Sequence, residues 1–380
     1  MKITLKRTTE QVELIKAMAS KNRAVAYEAQ VALAEFIGPV LAEVINNAPS
    51  LSNLFTTLQF NADDNPSIPL DLYYDISDED YIQVYSQSVA GGLPQNQVLP
   101  TASEMKIATY TLDSALSFDK RYAAKSRMDV VSKTFTRMAQ EILLKQEKTS
   151  ANLILTALSK ATTNSKDHII TAGTSGRFLL DDLNRLFTLA KRINTSFSKG
   201  TPVNRASRGI TDLLVSPEVV QELRAMAYNP INTKGSAIAG AVASSSSHNN
   251  GIAAPESMRT DIYNSAGIPE FYGVSIMEMN ELGQGQKFNT IFAGLASAGS
   301  TTAQTFNSNK EIIVGLDRSR ESLIRAVAVD SENGSEFSLT ADDQYNVRQN
   351  KIGYFGGLEE GRMVLDNRAL VGVIATGISA

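Results

Sequence analysis

The sequence predicts an α+β protein organised as several lobes along one chain, and three observations carry that expectation. A helical apolar stripe runs over residues 127–160 with no glycine or proline to interrupt it. Period-two alternation marks strands around Ile68–Tyr85 and again after residue 310. Charge is segregated, for no lysine or arginine occurs between Ala24 and Met105 while that window holds eleven acids. At 380 residues the chain is long for one domain, so two lobes or a core with large excursions are expected.

The elements follow in order. Val12, Ile15 and Ala19, then Val25, Ala29, Leu33 and Phe36, fall at helical spacing, so the first fifty residues read as helix with a break or bend at Gly38-Pro39. Met1–Arg23 is net basic. Ile68, Leu70, Leu72, Tyr74 and Ile76 alternate, as Tyr81, Gln83 and Tyr85 do more weakly, around the turn Ser77-Asp78-Glu79-Asp80. This is a long hairpin, and a lone two-stranded hairpin is marginal in water, so its own body or a neighbouring chain must support it. Val131, Phe135, Met138, Ile142, Thr149 and Leu153 then line a helix of about 50 Å. Its neighbourhood, Lys106–Lys148, reverses the sign of the preceding stretch with nine bases against five acids.

Beyond it, Asp181–Ile193 reads as helix and Ile210–Val215 as strand. Ser216-Pro217-Glu218 then opens a helix through Met226, with serine at the cap and proline in the first turn. Gly240–Gly251 reads as a surface loop, and Gly273–Met279 and Phe288–Ala293 as strands. The remainder is β-rich: Glu311–Val314, then Leu323–Val329 and Glu336–Leu339 joined as a hairpin at Asn333-Gly334, then Tyr345–Arg348 and Met363–Ile374.

Composition excludes much chemistry. With no cysteine there are no disulfides, thiol nucleophiles or cysteine metal sites. The only histidines, His168 and His248, lie in polar segments and read as ordinary surface residues. Gly283-Gln284-Gly285-Gln286 lacks the third glycine of a dinucleotide loop, and Gly173-Thr174-Ser175-Gly176 is one residue short of a nucleophile elbow. Asp75, Asp78 and Asp80 lack calcium-loop spacing, so no metal or other cofactor is expected. A formal charge of −4 offers no net positive field to hold nucleic acid by sequence. The longest apolar run, Val31–Val44, is broken by Glu35, Gly38, Pro39 and Glu43, and Met1–Arg7 has no apolar signal core. No membrane partner is expected, and the chain reads as a soluble protein made in the cytoplasm.

The order of segments resembles the major capsid proteins of tailed bacteriophages, the Hong Kong phage fold. Four stretches carry the likeness. Thr109–Leu158 (TYTLDSALSFDKRYAAKSRMDVVSKTF…) is similar to the family's strand and spine helix, and Asp212–Met226 (DLLVSPEVVQELRAM) to its axial-domain strand and capped helix. Ile268–Gly294 (IPEFYGVSIMEMN…FNTIFAG) and Ile312–Val373 (IIVGLDRSRES…YNVRQNKIGYFGG…LDNRALVGV) resemble its later strands. The resemblance implies an N-terminal arm at 1–50 and an extended β-hairpin loop at 51–108. A peripheral domain with a long spine helix follows at 109–164, an axial domain at 165–310, and closing strands of the peripheral domain and sheet at 311–380.

It further implies a non-enzymatic subunit of hexamers and pentamers in an icosahedral head that encloses double-stranded DNA. The implied place is the virion, with assembly in the host cytoplasm. Portal, scaffolding and decoration or cement proteins are the implied partners, and packaged DNA is held non-specifically. With no long segment before the arm, a separate scaffolding protein is expected. Some relatives weld their shells through a lysine of the extended loop, and the absence of lysine from Ala24 to Met105 implies no such cross-link.

The expected inter-subunit contact sets Leu70, Asp71, Leu72, Tyr74, Asp75, Asp78, Glu79, Asp80 and Tyr85 of the hairpin against a neighbour. Lys120, Arg121, Lys125, Arg127, Lys133 and Arg137 are the receiving groups, with the N-terminal arm as second choice. Two rivals stand beside this reading. One is an encapsulin-type compartment that encloses an enzyme. The other is an α/β enzyme using Ser216 or an Asp/Glu pair in a cleft.

Overall fold

The computed structural model describes residues 8–48, 50–61, 64–69, 104–163, 166–193, 209–228, 270–271, 273–296, 306–307, 310–329, 335–342 and 350–378. These fall into two compact units. The first takes in Met1–Ile68, Glu104–Ser150 and Leu323–Met363, and the second Ala151–Ser322 and Val364–Ala380.

In the first unit, helix α1 (Thr9–Met18) starts where Thr8 Oγ1 accepts from the Gln11 amide. Helix α2 (Arg23–Asn46) starts where Asn22 Oδ1 accepts from Ala24. Both lay apolar residues against a five-stranded sheet made of β1 (Thr56–Asn61), β4 (Thr109–Asp119), β12 (Leu323–Val329), β13 (Ser338–Asp342) and β14 (Lys351–Val364). The order is β1-β12-β14-β13, and β4 pairs with β14 in antiparallel register from Thr109↔Gly361 to Asp119↔Lys351. The short α3 (Lys120–Ala124) leads into α4 (Met128–Ser159), a helix of about 48 Å. Val131, Phe135, Met138 and Ile142 of α4 are buried in the same core as Ile15, Met18, Leu33 and Leu41. At its centre the Tyr354 ring meets Phe135 edge-on, with centroids 5.4 Å apart, and donates its hydroxyl to Met18 Sδ at 3.2 Å.

The second unit is built on a six-stranded mixed sheet. Its strands are β7 (Ile169–Thr171), β8 (Asp212–Val215), β9 (Glu270–Phe271), β10 (Val274–Glu278), β11 (Lys310–Leu316) and β15 (Leu370–Thr376), in the order β7-β15-β11-β8-β10-β9. Helices α5 (Leu180–Ile193) and α6 (Pro217–Tyr228) pack Leu183, Leu186, Val219, Val220 and Leu223 into one cluster with Ile313, Val371 and Val373. The start of α5 is fixed by Asp182, whose carboxylate accepts from the amides of Gly173 at 2.8 Å and Leu179 at 3.2 Å.

Five expectations need correction. Helix α2 runs through Gly38-Pro39 unbroken. Pro39 lies on the exposed side, where water can satisfy the carbonyl it leaves unpaired, and burial of Leu41 and Ile45 holds the next turn. The inward stripe of α2 is Ala26, Ala29, Leu33 and Ile37, so Val25 and Phe36 face outward. Phe288–Ala293 is not a strand but part of α7 (Lys287–Ala296), which buries Phe288 and Phe292 one turn apart. Leu323–Val329 and Ser338–Asp342 do not pair as a hairpin, because each bonds to β14 instead. Met363–Ile374 is two strands, split where Asp366 caps a turn over Asn367–Ala369 and the chain changes sheet. Asn333-Gly334, Tyr345–Arg348, Gly240–Gly251 and His248 lie outside the described residues.

Candidate functional site

The expected contact divides in two. Leu70, Asp71, Leu72, Tyr74, Asp75, Asp78, Glu79, Asp80 and Tyr85 all lie outside the described residues. The strands on either side of that stretch, β2 (Ser67–Pro69) and β3 (Glu104–Lys106), pair with one another, and the Ile107 amide donates to Pro66 O at 2.9 Å. The two ends of the 34-residue stretch between Pro69 and Glu104 are thus held side by side.

The six basic candidates are described, and they are not equivalent. Lys120 opens α3 and donates Nζ to Ser20 O at 3.1 Å. Arg121 is 81% exposed but donates through Nε and Nη2 to Asp119 Oδ2. Asp119 also caps α3 by accepting from the Arg121 amide, and that bond and the guanidinium hold its carboxyl below the usual range. These two bases are thus engaged within the chain. Lys125 and Arg127 flank Ser126, whose φ of 50° makes the elbow between α3 and α4, and both are exposed. Lys133 and Arg137 follow at helical spacing on the outer face of α4, joined by Lys145 and Lys148.

Beneath this surface lies a polar network absent from the sequence reading. Glu360 is fully buried, and its carboxylate accepts from Tyr110 Oη at 2.7 Å, Gln146 Nε2 at 3.1 Å, Arg325 Nε at 2.9 Å and Arg362 Nη2 at 3.1 Å. Burial pushes Glu360 up, but the guanidiniums of Arg362 and Arg325 outweigh it and hold the carboxyl below its ordinary value. Burial, then the adjacent carboxylate, pushes Tyr110 up to about 12. Arg362 also bonds Ser150 Oγ and lies 5.4 Å from the Phe55 ring centroid, tying α4, β4, β12 and β14 to the root of β1. Gln146 and Ser150 continue the buried stripe of α4, whereas Thr149 and Leu153, placed on it from the sequence, are only half-buried.

The enzyme reading finds no support at Ser216. Its hydroxyl is buried, accepts from the Val219 amide as the cap of α6, and donates to Glu311 Oε2 at 2.7 Å. Glu311 is itself fully buried in β11, and burial, with a smaller contribution from the Glu218 charge, pushes its carboxyl up to about 7 against the hydrogen bond from Ser216. This is a capped core group with no room for a substrate. His168 is not a surface residue, for it is fully buried, with Nδ1 2.9 Å from Leu370 O and Nε2 2.8 Å from Thr163 Oγ1. Among the described residues no cluster of three or more His, Asp or Glu could hold a metal ion, and no helix is long and apolar enough to cross a membrane.

No protein-family model and no curated protein matches the sequence. Solved structures do match in shape. The capsid of an empty GTA particle superposes with a TM-score of 0.50 at 10% identity, over 86% of this chain and 89% of that one. The Microbacterium phage Oxtober96 structure gives 0.48 at 11%, over 87% and 91%. The holo-SrpI encapsulin complex of Synechococcus elongatus PCC 7942 gives 0.44 at 12%, over 87% and 88%.

Proposed function

We propose that this chain, which has the Hong Kong phage capsid fold, is a structural shell protein rather than an enzyme. The finer reading is a major capsid protein that forms hexamers and pentamers in the head of a tailed phage and encloses double-stranded DNA. The observation that carries it is the capsid likeness extending over 86% of the chain, both units included. A shell multiplies modest contacts, so no single interface need be tight.

Within that reading the segment between β2 and β3 reaches an adjacent subunit. Its acids meet the exposed Lys125 and Arg127 at the α3–α4 elbow, and Leu70, Leu72, Tyr74 and Tyr85 add apolar burial. Reversing Asp78, Glu79 and Asp80 together to lysine should impair assembly while leaving each subunit folded. Unaltered shells from that variant would discard the hairpin contact.

The direct test of function is negative-stain electron microscopy of the expressed protein, alone and with a co-expressed scaffold. Closed shells or five- and six-membered rings are expected, and boiling in SDS should give one band near 41 kDa because the chain from Ala24 to Met105 has no lysine. A subunit that stays monomeric with scaffold present would overturn the shell reading. Shells that co-purify with a protein cargo in place of DNA would establish the encapsulin-type alternative.

A further inference from the structure

Two helix faces of the first unit carry charge that the described residues do not answer. The outer face of α2 presents Glu28, Glu35 and Glu43 with no base among them, beside the exposed apolar side chains of Val25, Phe36 and Val40. Phe36 is 53% exposed and borders an apolar groove of about 500 Å3 lined by Leu14, Ala32, Leu33 and Met128. The outer face of α4 presents Lys133, Arg137, Lys145 and Lys148 around Leu144, which is 60% exposed, and between Lys133 and Lys148 Glu141 is its one exposed acid. None of these charged groups forms an ion pair among the described residues.

The two faces match in length as well as sign. Glu28 to Glu43 and Lys133 to Lys148 each span fifteen residues, about 22 Å of helix. At about 100° per residue, Glu28, Glu35 and Glu43 fall within about 80° of one another, and Lys133, Arg137, Leu144 and Lys148 within about 60°, with Lys145 at the edge of the face.

We infer that the outer face of α2 docks on the outer face of α4 of a second copy of this chain. Glu28, Glu35 and Glu43 meet Lys133, Arg137, Lys145 and Lys148, and Leu144 enters the groove beside Phe36. The aliphatic stems of the lysines cover Val25 and Val40. Because the two faces differ, the contact is head-to-tail and each subunit can take part twice, which is how rings and closed shells propagate. The inference rests on the shell reading, but its readout is separate.

The test uses two full-length variants whose changes are all on exposed positions, so each should keep the wild-type unfolding temperature. In one, Glu28, Glu35 and Glu43 become lysine; in the other, Lys133, Arg137 and Lys148 become glutamate. Sedimentation should show self-association weakened at least about tenfold in each variant alone. An equimolar mixture should recover it, because the reversed face of one chain then fits the reversed face of the other. Normal self-association of either single variant, or no recovery in the mixture, overturns the inference. Recovery of the α4 variant by the Asp78/Glu79/Asp80 reversal instead would hand that face to the hairpin and overturn it too. Wild-type chains that associate through these faces into open filaments and never close would overturn the shell reading alone.

Discussion

A Glu360→Ala chain is expected to lose about 3–5 kcal/mol of stability, enough to unfold the first unit near physiological temperature. The alanine removes the one anion between Arg325 and Arg362, whose side chains are almost fully buried, and leaves both guanidiniums without their counter-charge. Tyr110 Oη and Gln146 Nε2 lose an acceptor in the same change. Urea denaturation read by circular dichroism checks it. A replacement of the whole set, Arg325→Met with Glu360→Leu and Arg362→Met, should cost far less, since no buried charge remains. If Glu360→Ala costs under about 1 kcal/mol, the network is hydrated and contributes little.

The second unit should grow less stable as pH rises from about 4.5 to about 7, and Glu311→Gln should abolish that fall. In the unfolded chain the Glu311 carboxyl ionises near its ordinary value, whereas in the folded unit burial keeps it protonated up to about 7. Between those values the folded state holds the extra proton, so stability declines with pH and then levels off. The full decline is on the order of 3 kcal/mol. Glutamine is neutral at every pH and can still accept from Ser216 Oγ, so the variant should match wild type at pH 4.5 and exceed it at pH 8. Thermal unfolding across that range decides it, and equal slopes for the two proteins would mean Glu311 ionises freely in the folded unit.

Both groups show where sequence patterns stop being informative. The helices α4, α5 and α6 were legible because their apolar spacing and their caps, such as Ser216, are local properties. Strand β14 was not, because Gly353, Gly356, Gly357 and Gly361 suppress its strand signal. Those glycines have a packing reason. A Cβ on Gly356 would strike the Phe337 ring and come within 2.7 Å of Met138 Cε, and one on Gly361 would lie 2.8 Å from Ala108 O. Glu360 shares its strand face with Tyr354 and Leu358, so period two alone would have placed it inward. Of its two arginine partners, Arg362 follows two residues on in the same strand, but Arg325 comes from β12, which no local window can join to it. The exposed bases of α4 were legible as charge, but Lys120 was not seen to be engaged, since Ser20 lies a hundred residues away, and the local Asp119–Arg121 pair was missed although only two residues separate them.

The placing of β14 and β15 sets a clock on the molecule. Strand β14 lies between β12 and β13 on one side and β4 on the other, and β15 lies between β7 and β11. The joining of β4, β12 and β13 in one sheet, and of β7 to β11 in the other, therefore waits for residues 351–376, which leave the ribosome after all the strands they join, while β1–β12, β8–β10 and β8–β11 pair without them. A nascent chain can wind its helices early, yet neither sheet can close before those residues emerge. Unfinished polypeptides thus lack both completed sheets, and the finished surface of each unit exists only on the full-length chain.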